Sequence, residues 1–127
     1  MRKKILIVED EPRIRNLYQL LLGDSFDLIE AGNGKDAVEM ATAHFPDLVV
    51  MDVMMPVMDG WQALATLKQE PATAMIPIIL LTAKTTHRDV LAGYNLGAEY
   101  YITKPFKSGE LMHGIHMCLD HENHPME

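Results

Sequence analysis

The chain has 127 residues, the length of one domain, with 48% hydrophobic and 23% charged residues and only 8 Gly and 7 Pro. That composition excludes a disordered, collagen-like or low-complexity chain. Eleven Lys and Arg against 18 Asp and Glu give a net charge of -7, a poor match for a phosphate backbone, so no direct binding of nucleic acid is expected.

The N-terminal Met1-Arg2-Lys3-Lys4 precedes an apolar run of only four residues before Glu9. A signal peptide needs about 7–15 apolar residues there, so the run is read as a first strand, Ile5–Val8, in a cytoplasmic protein. No run approaches the roughly 20 apolar residues that span a bilayer, and the one cysteine, Cys118, has no internal disulfide partner. Pro12 can open a first helix, because its missing N–H is not needed in the first turn, and Gly23 can end it. Ile14, Leu17 and Leu21 are expected on its buried face.

Phe26–Ala31, interrupted by polar residues, is read as an edge strand, and Ala37, Met40 and Ala41 mark a helix after Asn33-Gly34. Leu48–Met51 and Ile78–Leu81 are continuous apolar runs suited to central strands of a parallel sheet. Trp61, Leu64 and Leu67 mark the helix after Asp59-Gly60. Thr85–Leu96, with Gly93 inside, is the least well anchored helix. Tyr100–Thr103 is a second edge strand, and Leu111, Ile115 and Leu119 give the last helix its apolar face. Strand and helix alternating in this way imply an α/β fold, a doubly wound (βα)5 sandwich around a five-stranded parallel sheet. Residues 1–120 would form the domain and 121–127 a polar tail.

In such a sheet the loops at the carboxyl ends of the strands form the binding crevice. Glu9-Asp10-Glu11 follows the first strand, Asp52 the third, Thr82 the fourth and Lys104-Pro105 the fifth. Singly, each has an ordinary structural reading: acids at a helix N-terminus, a turn aspartate, a capping threonine, a solvated lysine. Their joint placement on one sheet edge argues for chemistry. Clustered carboxylates repel unless a cation lies among them, and Mg²⁺, which keeps waters and takes one or two carboxylates plus a phosphate, fits acids from two loops. The lysine adds a charge for an anion and the threonine a hydroxyl donor, the parts of a phosphoryl-transfer site with an aspartate nucleophile.

These residues carry a resemblance to a family. The runs Ile5–Pro12, Asp47–Gly60, Pro77–Ala83 and Gly97–Phe106 stand in the order and spacing of the receiver domain of bacterial two-component response regulators, and the chain resembles that family from about Lys4 to Leu119. The resemblance implies strand order 2-1-3-4-5, the order of the chemotaxis regulator. It implies that Asp52 is the phosphoacceptor, taking its phosphoryl group from a phosphohistidine on a sensor histidine kinase or a histidine phosphotransfer protein. Glu9, Asp10, Asp52 and the backbone carbonyl of Met54 would hold Mg²⁺, and Lys104 would pair with the phosphoryl oxygens. Thr82 would turn toward the phosphoryl group, Tyr101 would move from exposed to buried with it, and Pro105 would follow a cis peptide bond. The domain would catalyse only its own phosphorylation and dephosphorylation.

The surface built by the Thr85 helix, the Tyr101 strand and the Leu111 helix would then meet a downstream target protein or output domain, as a monomer or a weak phosphorylation-dependent dimer. The commonest winged-helix regulators usually carry an acid where Tyr100 stands and an arginine near Gly114 for a charged dimer interface, and this chain departs from them there. Met51, Met54, Met55 and Met58 are read as packing residues rather than a soft-metal site. His113, His116, His121 and His124 lack a convincing further ligand for zinc. A haloacid-dehalogenase-like phosphatase, the alternative that also uses a strand-end aspartate and Mg²⁺, needs a second aspartate where Met54 stands. A flavodoxin-like cofactor binder needs a phosphate-cradling loop where Glu9–Pro12 stands.

Overall fold

The continuous apolar runs lie at the centre of a parallel sheet in a computed structural model of the chain, which describes residues 2–53, 60–82 and 97–123. The elements are β1 (Lys4–Val8), α1 (Pro12–Leu22), β2 (Asp27–Ala31), α2 (Gly34–His44), β3 (Leu48–Asp52), α3 (Gly60–Gln69), β4 (Ile78–Thr82), β5 (Tyr100–Thr103) and α4 (Ser108–Asn123). The five strands are parallel in the order β2-β1-β3-β4-β5, so both interrupted strands stand at the edges, as expected. Met54 and the helix expected over Thr85–Leu96 lie outside the described residues. Among the described residues no helix is long and apolar enough to cross a membrane.

Period-two alternation along the strands divides the core into two layers. Ile5, Ile7, Leu48, Val50 and Ile102 face one layer with Tyr18 and Leu22 of α1 and Leu111 and Ile115 of α4. Leu6, Val8, Val49, Met51 and Leu80 face the other with Ala37 and Ala41 of α2 and Leu64 and Leu67 of α3. All five residues of β3 and of β4 are buried, each aliphatic side chain there contributing about 1.5–3 kcal/mol by leaving water. Cys118 is one of the small apolar residues of the first layer.

Helix boundaries follow local chemistry. Pro12 occupies the first turn of α1 and Gly23 its C-cap. The Asn33 side chain accepts a hydrogen bond from Asp36 N (2.8 Å), capping α2. The buried stripe of α1 differs from the expected one: Tyr18 and Leu22 are buried, while Leu17 is 51% and Leu21 45% exposed. With six apolar residues among its eleven, α1 carries overlapping i, i+3 and i, i+4 stripes, and docking against β1 and β2 selects the one through Tyr18 and Leu22. Residues 121–123 of the expected tail belong to α4.

The edge away from the strand carboxyl ends is tied by Lys68 of α3. Its ammonium donates to Ala74 O (3.1 Å), Ile76 O (2.8 Å) and Glu99 Oε2 (3.0 Å), and Glu99 Oε1 accepts from Ile78 N (2.8 Å). Gly97 lies against the Lys68 stem at φ +108°, a backbone region glycine adopts without the Cβ penalty. These bonds set where β4 and β5 begin, and therefore which residues end them.

Candidate functional site

Four strand ends meet at the carboxyl edge of the sheet. Alternation assigns Asp52, two residues beyond Val50, to the α1/α4 layer, and Glu9 and Lys104 continue the same parity beyond Ile7 and Ile102. Their heads converge: the Lys104 ammonium pairs with Asp52 Oδ2 and stands 3.9 Å from Glu9 Oε1. Glu9 and Asp52 are only 3% and 5% exposed, so two carboxylates share one partly buried cation. Asp10 is exposed beside them.

Backbone bonds fix these positions. Glu9 N donates to Ala31 O (3.0 Å), Val53 N to Leu81 O (3.0 Å) and Lys104 N to Thr82 O (2.7 Å). Thr82 is completely buried at the end of β4, with Thr103 as its partner in register. Its parity is that of Ile78 and Leu80, which also assigns Tyr101, the partner of Leu80, to the α2/α3 layer. The charged residues and the Thr82/Tyr101 pair thus sit at one edge but approach it from opposite layers. The Lys104–Pro105 peptide bond is cis.

Burial is the main cause pushing the Glu9 carboxyl from 4.5 up to about 7; Asp10 and Asp52 push the same way, while the Glu11 N–H and Lys104 pull it down. Glu9 Oε2 accepts from Glu11 N (3.2 Å), but Oε1 is buried without a hydrogen-bond partner. A buried carboxylate oxygen without a donor, beside a second buried carboxylate and an exposed third, is a donor set that fits a hard divalent cation. Among the described residues no three His, Cys, Asp or Glu side chains close on a common point, so the fit is to an ion that keeps waters rather than to a protein cage. Met54, whose carbonyl was expected to contribute, lies outside the described residues. His113 stands edge-on to the Tyr100 ring (6.4 Å) and His116 is tilted against Phe26 (6.3 Å).

The raised Glu9 carboxyl gives a pH dependence of known sign. The folded protein holds this proton more tightly than the unfolded chain, so the stabilisation is full below about 4.5 and is lost as pH rises through about 7. In metal-free buffer, denaturant unfolding is expected to show wild type losing about 1–3 kcal/mol more than Glu9→Gln between those limits. Parallel profiles for the two proteins would contradict the assignment.

Three contributors escaped the sequence reading. Arg15 of α1 donates to Glu9 O (2.6 Å) and pairs with Glu30 of β2 (3.4 Å), holding the end of β1 against its neighbour. A basic residue one helical turn inside an acidic loop was its only sequence signal. Tyr18, its hydroxyl held protonated by burial and by the charges of Glu9 and Asp52, lines a groove of about 630 Å³ with Leu17, Leu21, Lys104, Pro105 and Phe106. Gly60 opens α3 under the end of β3: a Cβ there would stand 2.7 Å from Asp52 O and 2.7 Å from Val53 Cα.

The sequence pattern of the response regulator receiver domain matches residues 5–116. The alkaline phosphatase synthesis transcriptional regulatory protein PhoP of Bacillus subtilis is 44% identical over 112 residues, covering 87% of this chain and 46% of PhoP. The DNA-binding response regulator MtrA of Mycolicibacterium smegmatis is 37% identical over 129 residues, covering 100% of this chain and 55% of MtrA. The chain therefore spans about half the length of these curated relatives. Among solved structures, the receiver domain of sensor histidine kinase PA1611 from Pseudomonas aeruginosa PAO1, determined with a magnesium ion in its active-site cleft, superposes with a TM-score of 0.85 at 28% identity, covering 94% of this chain and 99% of that one. Sequence pattern, strand order and neighbours agree, and the chain belongs to the response regulator receiver domain family of two-component signal transduction.

Proposed function

We propose that this chain is a phosphorylation-dependent switch in which Asp52 accepts a phosphoryl group from a phosphohistidine on a sensor histidine kinase or a histidine phosphotransfer protein. The observation that carries the reading is the Lys104–Asp52 pair with the donorless Glu9 Oε1 beside it. An Asp52 carboxylate oxygen forms the O–P bond as the P–N bond of the phosphohistidine breaks, and the nitrogen leaves with the electron pair. Lys104 is positioned to follow the charge that develops on the transferring oxygens. Glu9, Asp10, Asp52 and the Met54 carbonyl would hold Mg²⁺, which when bound supplies positive charge to the phosphoryl oxygens. The chain acts as an enzyme only on itself.

The donor's docking surface follows from the exposed side of α1. Leu17 and Leu21 line the groove that ends on Lys104, Pro105 and Phe106, an apolar surface beside the charged centre suited to a helical partner. After transfer, the phosphoryl group adds close to two negative charges, and Thr82 and Lys104 turn to its oxygens while Tyr101 follows Thr82. The altered surface meets a downstream target or output domain. The excess of acids argues against nucleic-acid contact by residues 1–127 alone and does not extend to a whole protein: one relative is named a transcriptional regulatory protein and the other a DNA-binding response regulator, and the chain covers 46% and 55% of them. Location in the cytoplasm belongs to the same reading.

Incubation with Mg²⁺ and a small acyl phosphate tests the proposal by intact mass. One hydroxylamine-labile phosphoryl group is expected on wild type and none on Asp52→Asn. No gain, or an equal gain in the variant, would overturn it.

A further inference from the structure

We infer that Trp61 is a positioning residue of the switch, joining the backbone of Asp52 to the ring of Tyr101 through the first turn of α3. The inference rests on the proposed phosphoryl switch and adds to it a second route between the phosphoacceptor and Tyr101. The route begins at Gly60, whose N–H donates to Val53 O (2.9 Å) and whose Cα presses on Asp52 O so closely that a Cβ would stand 2.7 Å away. Movement of the Asp52 backbone cannot be absorbed at that contact, because both sides are main chain, so it is transmitted to the start of α3. The next residue, Trp61, stands with its ring 6.5 Å from that of Tyr101 at 36°. Both rings are half-buried against the α2/α3 layer of the core.

Tyr101 is reached separately from β4. It is in register with Leu80, and Thr82 lies two residues further on the same parity, with Lys104 N bonded to Thr82 O (2.7 Å). The two routes, Asp52–Gly60–Trp61 and Thr82–β5, therefore end on the same pair of rings. The ring contact is present in the arrangement in which Lys104 pairs directly with Asp52. The coupling requires this contact to be stronger in that arrangement than in the competing one in which Tyr101 has moved, so that its removal favours the latter.

Beryllofluoride with Mg²⁺, a phosphoryl mimic, tests this when its affinity is measured by calorimetry on wild type, Trp61→Ala, Trp61→Phe, Tyr101→Ala and the Trp61→Ala/Tyr101→Ala double variant. An aromatic contact of ordinary strength corresponds to a tightening of about two- to tenfold on Trp61→Ala. Trp61→Phe is expected to restore most of the wild-type affinity, and the double variant to be no tighter than either single one. Trp61 is the only tryptophan of the chain, so wild-type emission gives an independent reading should Trp61→Ala fail to fold. It is expected to change on adding the mimic and to lose that change in Tyr101→Ala. Unchanged affinity in Trp61→Ala, full additivity in the double variant, or an emission change indifferent to Tyr101 would overturn the coupling. Absence of phosphoryl uptake by intact mass would instead remove the switch reading itself, and the coupling with it.

Discussion

Lys104→Met is expected to accept phosphoryl groups from a small acyl phosphate at least about 100-fold more slowly than wild type, the usual effect of deleting a donor aimed at developing charge. The lysine is the cation that both buried carboxylates share, paired with Asp52 and 3.9 Å from Glu9. Methionine keeps the apolar stem that lines the groove beside Tyr18 and Phe106 and removes only the ammonium. In metal-free buffer above pH 7 the variant leaves two acids, 3% and 5% exposed, without their counter-charge. The Lys104 side chain is 32% exposed, so solvent screens part of the pair, and a loss of about 1–3 kcal/mol is expected rather than the full cost of an unpaired buried ion. Because Lys104 holds the Glu9 carboxyl down, its removal also moves that carboxyl further up. A time course by intact mass and urea unfolding at two pH values check both effects; an unchanged phosphorylation rate would refute the role given to Lys104.

Gly60→Ala is expected to lower stability by about 1–3 kcal/mol, although alanine is the better helix former by about 1 kcal/mol. The reason is space. The added Cβ would meet Asp52 O at 2.7 Å and Val53 Cα at 2.7 Å, both main-chain atoms of a buried strand end with no rotamer to change. Relief requires α3 to lift from β3, which also displaces the carbonyl end of the residue proposed to carry the phosphoryl group. Thermal unfolding is expected roughly 5–15 °C lower, with slower phosphoryl uptake in the fraction that remains folded. A variant as stable as wild type would show that the start of α3 is not seated on β3.

Much of the fold was legible because its signals are local. Ile5–Val8, Leu48–Met51 and Ile78–Leu81 are too short for helices and too apolar for surface strands, and they occupy the centre of the sheet. Pro12, Asn33 and Gly23 bound their helices through backbone chemistry that needs no tertiary partner. The face of α1 was not legible in this way. A helix with apolar residues on more than half its circumference has no single stripe, and its neighbours chose Tyr18 and Leu22 over Leu17 and Leu21.

By itself the sequence determined the order of the elements, the parallel sheet and the set of acids, threonine and lysine at the strand ends, because each depends on residue type at short spacing. It gave the excess negative charge a destination at one edge. Only the tertiary structure decided which of those acids is buried without a donor, that Lys104 serves Asp52 and Glu9 together, that Arg15 holds the end of β1, and that Trp61 touches Tyr101. Those facts join residues up to 95 positions apart, Glu9 and Lys104 among them. Spacing along a chain carries no record of such contacts; they arise when two layers of side chains close on one sheet and fix burial, and with it charge.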